Sequence, residues 1–164
     1  MKHLEIEMKT LLNKDEYQRL QEHFSGVTPI TQKNYYLDTP DFYLRKHKIA
    51  MRIRTFENSA ELTIKIPQKV GNMEYNQDLS LEEANHCLKE CILPQGMILD
   101  ELTSRGLSTS GWGVLGCLTT VRYEKQTPIG LMALDQSQYF DIVDYELELE
   151  VEDGNQGSLD FQEF

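Results

Sequence analysis

The sequence predicts an α+β protein made mainly of strands, in which eight antiparallel strands close into a barrel with a polar interior and helices packed outside. Three observations predict this fold. Charged and apolar side chains alternate along several segments, as in residues 4–9 (LEIEMK), and a period of two is typical of β-strands. Turn residues and prolines separate most of these segments, which favours hairpin connections. Amphipathic helical segments fill the remaining gaps and need an apolar surface to cover.

Each predicted strand ends at a turn, a proline or a helix signal. Pro40 ends the second strand and Pro67 ends the fourth, while residues 57–59 (ENS) form a tight turn between the third and the fourth. The eight predicted strands span residues 2–12, 31–39, 49–56, 61–66, 73–80, 118–127, 131–137 and 142–152. Because closing eight antiparallel strands removes exposed sheet edges, a barrel is the expected arrangement.

Helices are predicted where a capping box begins an amphipathic segment. Asn13 is followed three residues later by Glu16, and Ser80 is followed in the same way by Glu83. These two boxes predict helices over residues 14–23 and 81–91. The other predicted elements are a helix over residues 97–105, a short turn or helix over 41–46, loops over 108–116 and 154–158, and the beginning of a helix over 159–164.

The charged faces of the strands determine what the barrel is expected to contain. Alternation alone ordinarily places the apolar face in the core and the charged face in water. In this chain, long Arg, Lys and Glu side chains line one face on at least five strands, and the helices need the apolar faces. Burial of so many charges is costly unless they are paired or hold ions and ligand. The polar interior is therefore predicted to be a functional site.

Composition limits both the class of protein and the class of partner. A chain of 164 residues with 40% hydrophobic residues suits one domain over residues 1–164. A formal net charge of −11 disfavours nucleic acid and anionic membranes as nonspecific partners. No apolar signal segment and no membrane-spanning run is found in the sequence. The cysteines are odd in number and form no CxxC pair, so a reduced, cytoplasmic protein is expected.

Several motifs, taken in order along the chain, resemble one family. Glu5-x-Glu7-x-Lys9 resembles the N-terminal ExExK signature of the CYTH domains, the triphosphate tunnel metalloenzymes. The later matches are residues 35–40 (YYLDTP), Arg52-x-Arg54, Thr63-x-Lys65, Glu74, Arg122, Asp135 and residues 145–150 (YELELE). The resemblance covers essentially the whole chain and is closest to the bacterial YjbK-like branch. Members of the family usually continue beyond the position of Phe164 to a last basic segment, which this CYTH-like domain is expected to lack.

The resemblance implies roles for the charged rows that fit their chemistry. Arginine donates two hydrogen bonds to one phosphate and lysine supplies a compact charge, while carboxylates suit Mg²⁺ or Mn²⁺, which prefer oxygen ligands. The expected catalytic and substrate-binding residues are Lys9, Arg52, Arg54, Lys65 and Arg122, with Glu74 as a further substrate-binding residue. The expected metal ligands are Glu5, Glu7, Asp135, Glu146, Glu148 and Glu150. Since the glutamates from 146 to 152 share one face, the sequence leaves open which of them hold the metal.

The function implied by the resemblance is hydrolysis of triphosphate compounds with Mg²⁺ or Mn²⁺ as cofactor. Inorganic triphosphate is the expected substrate, because no motif for recognising a base is found. Thiamine triphosphatase and adenylate cyclase activities occur in the same family and are alternatives. A non-catalytic module that binds polyphosphate or a nucleotide is a further alternative. The expected partner is a small-molecule triphosphate, and the sequence does not predict the oligomeric state.

Overall fold

The barrel predicted from the sequence is present in a computed structural model, which describes residues 1–151 of the chain. The strands are β1 (Lys2–Leu12), β2 (Ile30–Asp38), β3 (Ala50–Thr55), β4 (Ala60–Pro67), β5 (Asn72–Leu79), β6 (Gly113–Thr127), β7 (Gly130–Tyr139) and β8 (Ile142–Val151). The helices are α1 (Lys14–Gln21), α2 (Tyr43–Lys46), α3 (Leu81–Glu90) and α4 (Met97–Ser104), with a 3-10 turn at Glu22–Phe24. The strands form a closed barrel in the order β1-β5-β4-β3-β2-β6-β7-β8. The predicted eight-stranded closed barrel is therefore confirmed.

One strand, β6, begins several residues earlier than predicted. Strand β6 starts at Gly113, whereas the sequence predicted a loop over residues 108–116. Glycine is depleted in strands, so local propensity favours a loop, but the strand order places β6 beside β2 and backbone pairing overrides that propensity. The predicted end of the last strand at residue 152, the loop over 154–158 and the helix start over 159–164 lie outside the described residues.

Both predicted capping boxes are present. The Asn13 side chain accepts a hydrogen bond from the Glu16 amide at 2.8 Å, and the Glu16 carboxylate accepts one from the Asn13 amide at 2.9 Å. Ser80 and Glu83 make the same reciprocal bonds at 3.0 and 2.9 Å. These bonds satisfy amides that would otherwise lack partners at the starts of α1 and α3. Among residues 1–151, every helix is too short or too polar to cross a lipid bilayer.

Contacts within the chain divide it into two compact units, of which the first carries most of the helices. The residues of the first unit are 1–4, 33–68 and 72–117. Its strands bury one apolar face against α2, α3 and α4. Ile53 and Ile64 on the strands, and Ile98 and Leu102 on α4, are at most 1% exposed. The apolar face of these strands is thus the face that the helices cover, as predicted.

The second unit repeats this arrangement with different strands. Among the described residues, it comprises 5–32, 69–71 and 118–151. Leu134 of β7 and Leu149 of β8 are fully buried in a cluster that includes Tyr17 of α1 and Phe24 of the 3-10 turn. The ring centroids of Tyr17 and Tyr145 lie 4.6 Å apart, within the range of favourable aromatic pairs. The charged residues of β7 and β8 alternate with these apolar residues and therefore lie on the opposite face.

Candidate functional site

The polar face of the first unit carries three cations on two adjacent strands. Arg52 and Arg54 are two residues apart on β3, so both side chains lie on the same face. Arg52 is directly opposite Thr63 of β4, and Lys65 follows Thr63 by two residues on that strand. Period two therefore places Lys65 on the same face as both arginines, as the sequence predicted.

Arg54 is held by side chains from both neighbouring strands. Its Nε donates a hydrogen bond of 2.6 Å to Oδ1 of Asn34 in β2, and Asn34 is only 2% exposed. Its Nη1 lies 3.8 Å from a carboxylate oxygen of Glu61 in β4. The guanidinium group is thus fixed between an amide acceptor and a carboxylate. Asn34 is not among the residues expected from the sequence; the available signal was its alternation with Lys33 and Tyr35, which puts it on the same face of β2 as Gln32 and Asp38.

Arg52 differs from Arg54 in lacking such partners. Its Nε is buried and has no hydrogen-bond acceptor among residues 1–151, and no ion pair to Arg52 is found in that part of the chain. Thr63, the residue opposite, donates its hydroxyl to Oδ1 of Asn76 at 2.8 Å instead. An unsatisfied buried donor on a cation is unfavourable, so this guanidinium is suited to an added anion.

Lys65 and Glu74 face each other across β4 and β5. The Lys65 Nζ and a carboxylate oxygen of Glu74 are 4.0 Å apart, and the same oxygen lies 3.8 Å from Nε2 of His3. Glu74 is 6% exposed, so the carboxylate depends on nearby cations rather than on water. At this distance Glu74 attracts the Lys65 ammonium without making a hydrogen bond to it. His3 is not among the site residues expected from the sequence.

The polar face of the second unit brings charged residues of four strands into register. Lys9 of β1 lies opposite Glu148 of β8. Arg122 of β6 lies opposite Asp135 of β7, which in turn lies opposite Glu146 of β8. The structure thus collects these five predicted site residues on one face of the second unit.

Arg122 makes a two-point ion pair. Its Nε and Nη2 donate to the two carboxylate oxygens of Asp135 at 2.8 and 2.7 Å, and Nη2 is also 3.5 Å from Glu148. Its Nη1 lies 3.8 Å from the exposed Glu124. Burial disfavours the charged guanidinium, but the hydrogen bonds and charge of Asp135 outweigh burial and raise the pKa of Arg122. Arg122 therefore stays charged and holds Asp135 in a fixed orientation.

Three carboxylates of the second unit form an acidic group. One oxygen from each of Asp135, Glu146 and Glu148 lies within 4.8 Å of the others. Burial raises the pKa of Glu146; Lys9 opposes this shift, whereas Glu148 and Asp135 reinforce it. A divalent cation would relieve both the burial and the mutual repulsion of these carboxylates. Oxygen donors this close together fit Mg²⁺ or Mn²⁺.

Lys9 supplies the compensating charge beside that group. Its Nζ lies 3.3 Å from Glu7 and 3.5 Å from Glu148. Burial alone would lower the pKa of Lys9, but attraction by Glu148 and then Glu7 outweighs burial, so the pKa is raised. Lys9 is therefore a permanent cation at the edge of the acidic group.

The remaining predicted ligands lie further along the same strands. Glu5 is 7% exposed and precedes Glu7 by two residues on β1. Glu7 lies directly opposite Glu150 of β8. In the described part of the chain, the group of carboxylates within 4.8 Å of one another contains Glu146 and Glu148 but neither Glu7 nor Glu150. The geometry therefore favours Glu146 and Glu148 over Glu150 as the pair on β8.

Comparisons with known proteins match nearly the whole chain to one family. The family model described as "CYTH domain" matches residues 3–164. A Bacillus subtilis protein named "Putative triphosphatase YjbK" is 35% identical over 161 residues, which cover 97% of this chain and 83% of that protein.

Solved structures give the same result for the fold. A crystal structure described as a putative adenylate cyclase from Bacillus halodurans is 37% identical, with a TM-score of 0.92, and the match covers 99% of this chain and 88% of that one. A structure from Hippeastrum, described as a putative adenylyl cyclase with a dominant triphosphatase activity, is 22% identical. Its TM-score is 0.82 over 98% of this chain and 86% of that one, which supports the barrel fold.

Proposed function

Because the chain belongs to the CYTH domain family, we propose that it is a metal-dependent hydrolase of triphosphate compounds, with inorganic triphosphate as its substrate. The name of the Bacillus subtilis relative, a triphosphatase by its description, supports the reaction class. The proposal depends mainly on Arg52, because its buried Nε has no hydrogen-bond acceptor among residues 1–151. A cation that lies beside two others, with no counter-ion in the described part of the chain, is suited to a polyanion.

We assign phosphate binding to the basic row of the first unit, which consists of Arg52, Arg54 and Lys65. A triphosphate carries several negative charges on closely spaced oxygens. Several neighbouring cations on β3 and β4 can contact these oxygens at the same time, whereas a single cation cannot. Arg52 and Arg54 supply planar donors, whereas Lys65, which lies 4.0 Å from Glu74, supplies a compact charge. We also assign phosphate contacts to Lys9 and Arg122, each of which keeps its charge beside carboxylates.

The proposal assigns metal binding to the acidic group of the second unit. Asp135, Glu146 and Glu148 supply oxygen atoms within 4.8 Å of one another, and Glu5 and Glu7 are the further expected ligands. A bound Mg²⁺ or Mn²⁺ would neutralise phosphate charge and lower the pKa of a water molecule. Arg122 fixes the carboxylate of Asp135 through two hydrogen bonds, which limits the orientations that this ligand can adopt.

Catalysis by this arrangement requires no nucleophilic side chain. Transfer of a phosphoryl group to water depends mainly on positioning and on stabilising charge at the phosphate oxygens. The arginines and lysines bind and orient the phosphate chain, and their charge stabilises the leaving phosphate as the bond to it lengthens. The carboxylates would hold the metal cofactor, which would supply charge neutralisation at the phosphate.

The test is a panel of phosphate-release assays on inorganic triphosphate, ATP and thiamine triphosphate, each with Mg²⁺, with Mn²⁺ and with a chelator. We expect release from inorganic triphosphate that requires the added metal. Glu148→Gln should abolish metal-dependent phosphate release. Glu124→Gln should retain it, because Glu124 is an exposed carboxylate that also lies near Arg122 but is not an expected metal ligand. Release that persists in chelator, or equal activity of both variants, would contradict the metal assignment.

A second candidate is nucleotide cyclisation, because the Bacillus halodurans relative is described as a putative adenylate cyclase. Cyclisation of ATP yields a cyclic nucleotide and pyrophosphate, whereas hydrolysis yields a diphosphate and orthophosphate. Chromatography of the products from ATP separates these reactions. Binding of triphosphate without any product would instead indicate a non-catalytic binding module.

We further propose a cytoplasmic location. The three cysteines, Cys87, Cys91 and Cys117, are free. Free thiols persist in a reducing compartment, where disulfides are rare.

A further inference from the structure

We propose that Asn34 is a positioning residue for Arg54, one of the cations to which triphosphate binding is assigned above. This inference rests on the proposed function and adds a residue that neither the motifs nor the comparisons identify. Asn34 lies in β2, directly opposite Arg54 in β3. Its neighbour Tyr35 packs against the apolar cluster on the other face, so Asn34 belongs to the polar face.

The hydrogen bond between the two residues is short, and its acceptor is buried. Arg54 Nε donates to Asn34 Oδ1 at 2.6 Å, and Asn34 is 2% exposed. A hydrogen bond from a charged donor is stronger than one between neutral groups, and low exposure protects it from competition by water. Because Nε belongs to the planar guanidinium, fixing its N–H direction also fixes the plane in which both Nη atoms lie.

Glu61 provides the second restraint on the same guanidinium. Asn34 lies on one side of β3 and Glu61 on the other, each directly opposite Arg54 in the strand register. The Glu61 carboxylate lies 3.8 Å from Nη1, which attracts that end without making a hydrogen bond. Arg54 is thereby presented in one orientation before any anion arrives, and this preorganisation lowers the entropic cost of binding.

Arg52 shows what the same strand does without such a partner. It points to the same face two residues earlier, but its Nε has no acceptor among residues 1–151. The residue opposite it in β2 is Tyr36, which is 41% exposed and has no amide acceptor to offer. The two arginines therefore differ in how they are oriented before ligand binds. Asn34 already fixes Arg54, whereas the ligand supplies the hydrogen-bond acceptor for Arg52.

A double-mutant cycle between Asn34 and Arg54 tests the inference. Isothermal titration calorimetry would measure the dissociation constant of inorganic triphosphate, at fixed Mg²⁺ and ionic strength, for wild type, Asn34→Leu, Arg54→Ala and the double variant. Leucine has nearly the shape of asparagine but no acceptor, and Asn34→Ala serves as a second removal of the acceptor. We expect either change at Asn34 to weaken binding about tenfold in the presence of Arg54 and to have almost no effect in its absence.

A matched control separates positioning from general loss of stability. Thr120→Val removes another buried side-chain hydrogen bond, the 2.9 Å contact to Ser137, which involves no proposed site residue. We expect Thr120→Val to lower the melting temperature and to leave the dissociation constant unchanged. Equal affinity of wild type and Asn34→Leu, or equal weakening with and without Arg54, would overturn the inference and leave the proposed function intact. No binding by wild type would overturn both.

Discussion

Arg122 and Asp135 form a two-point ion pair across β6 and β7, with donor–acceptor distances of 2.8 and 2.7 Å. The side chain of Asp135 is 5% exposed and that of Arg122 is 17% exposed, so water contributes little to solvating either charge. Both partners lie beside Glu148, which approaches Arg122 to 3.5 Å. The pair therefore stabilises the acidic group of the second unit as well as the barrel.

Arg122→Ala should destabilise the folded protein strongly. Removing one partner of a buried ion pair leaves the other charge unpaired, which costs roughly 3 kcal/mol or more. The free energy of unfolding, measured by denaturant titration, should fall by about that amount. Arg105→Ala is the matched control, because Arg105 pairs with Glu101 on the exposed surface of α4 and its loss should cost less than about 1 kcal/mol. If both variants lost the same free energy of unfolding, Asp135 would not need Arg122 to compensate its buried charge.

Glu146 should make stability fall as pH rises. Burial and neighbouring carboxylates raise the pKa of Glu146 above the usual 4.5, so the folded protein keeps a proton that the unfolded chain has already lost. The free energy of unfolding therefore falls as pH rises from the ordinary pKa of a glutamate through the raised pKa of Glu146. Glu146→Gln removes this loss, so without metal the variant should be more stable than wild type at pH 7.

The advantage of Glu146→Gln should disappear in acid, because wild-type Glu146 is then protonated in both states. Urea titrations across the pH range measure it, with Glu57→Gln in the exposed turn between β3 and β4 as a control for net charge. A stability difference that is independent of pH, or a less stable Glu146→Gln at pH 7, would contradict this interpretation.

Arg52→Ala should weaken triphosphate binding without destabilising the protein. Among residues 1–151 its Nε has no acceptor to lose, and nearby cations repel one another when no anion is bound. We expect binding to weaken by roughly tenfold or more and the free energy of unfolding to stay the same or rise. Calorimetry and denaturant titration provide the two measurements. Arg19→Ala, which removes the same charge from the exposed face of α1, should change neither.

The sequence was sufficient to predict which side chains share a face of a strand, because this depends only on alternation along that strand. Arg52 and Arg54 were placed on one face of β3, and Thr63 and Lys65 on one face of β4, because alternation within a strand needs no knowledge of its neighbours. The same alternation puts Lys125 on the opposite face of β6 from Arg122, and the Lys125 ammonium donates to the backbone carbonyl of His23, beside α1. Local signals also sufficed for both capping boxes.

Partners across strands could not be predicted, because they depend on register. Asn34 meets Arg54 only because β2 and β3 pair with those two residues opposite, and no local motif fixes that register. Likewise, the commitment of Arg122 to Asp135 requires the pairing of β6 with β7. The sequence therefore identified the charged rows but not which members are already paired and which need a ligand.

Triphosphate with Mg²⁺ should raise the melting temperature, and orthophosphate at the same concentration should raise it much less. A ligand that binds only the folded state stabilises it by about 2.7 kcal/mol at a hundredfold excess over its dissociation constant. Inorganic triphosphate can contact several cations of the basic row at once, whereas orthophosphate can satisfy only one or two of them. Lys65→Ala should reduce the triphosphate shift, while Lys69→Ala, an exposed lysine that follows β4, should not. Thermal melts at constant ionic strength measure these shifts, since salt screens the charges equally in every sample. Equal shifts from the two anions, or from the two lysine variants, would remove the reason for assigning this row to a triphosphate.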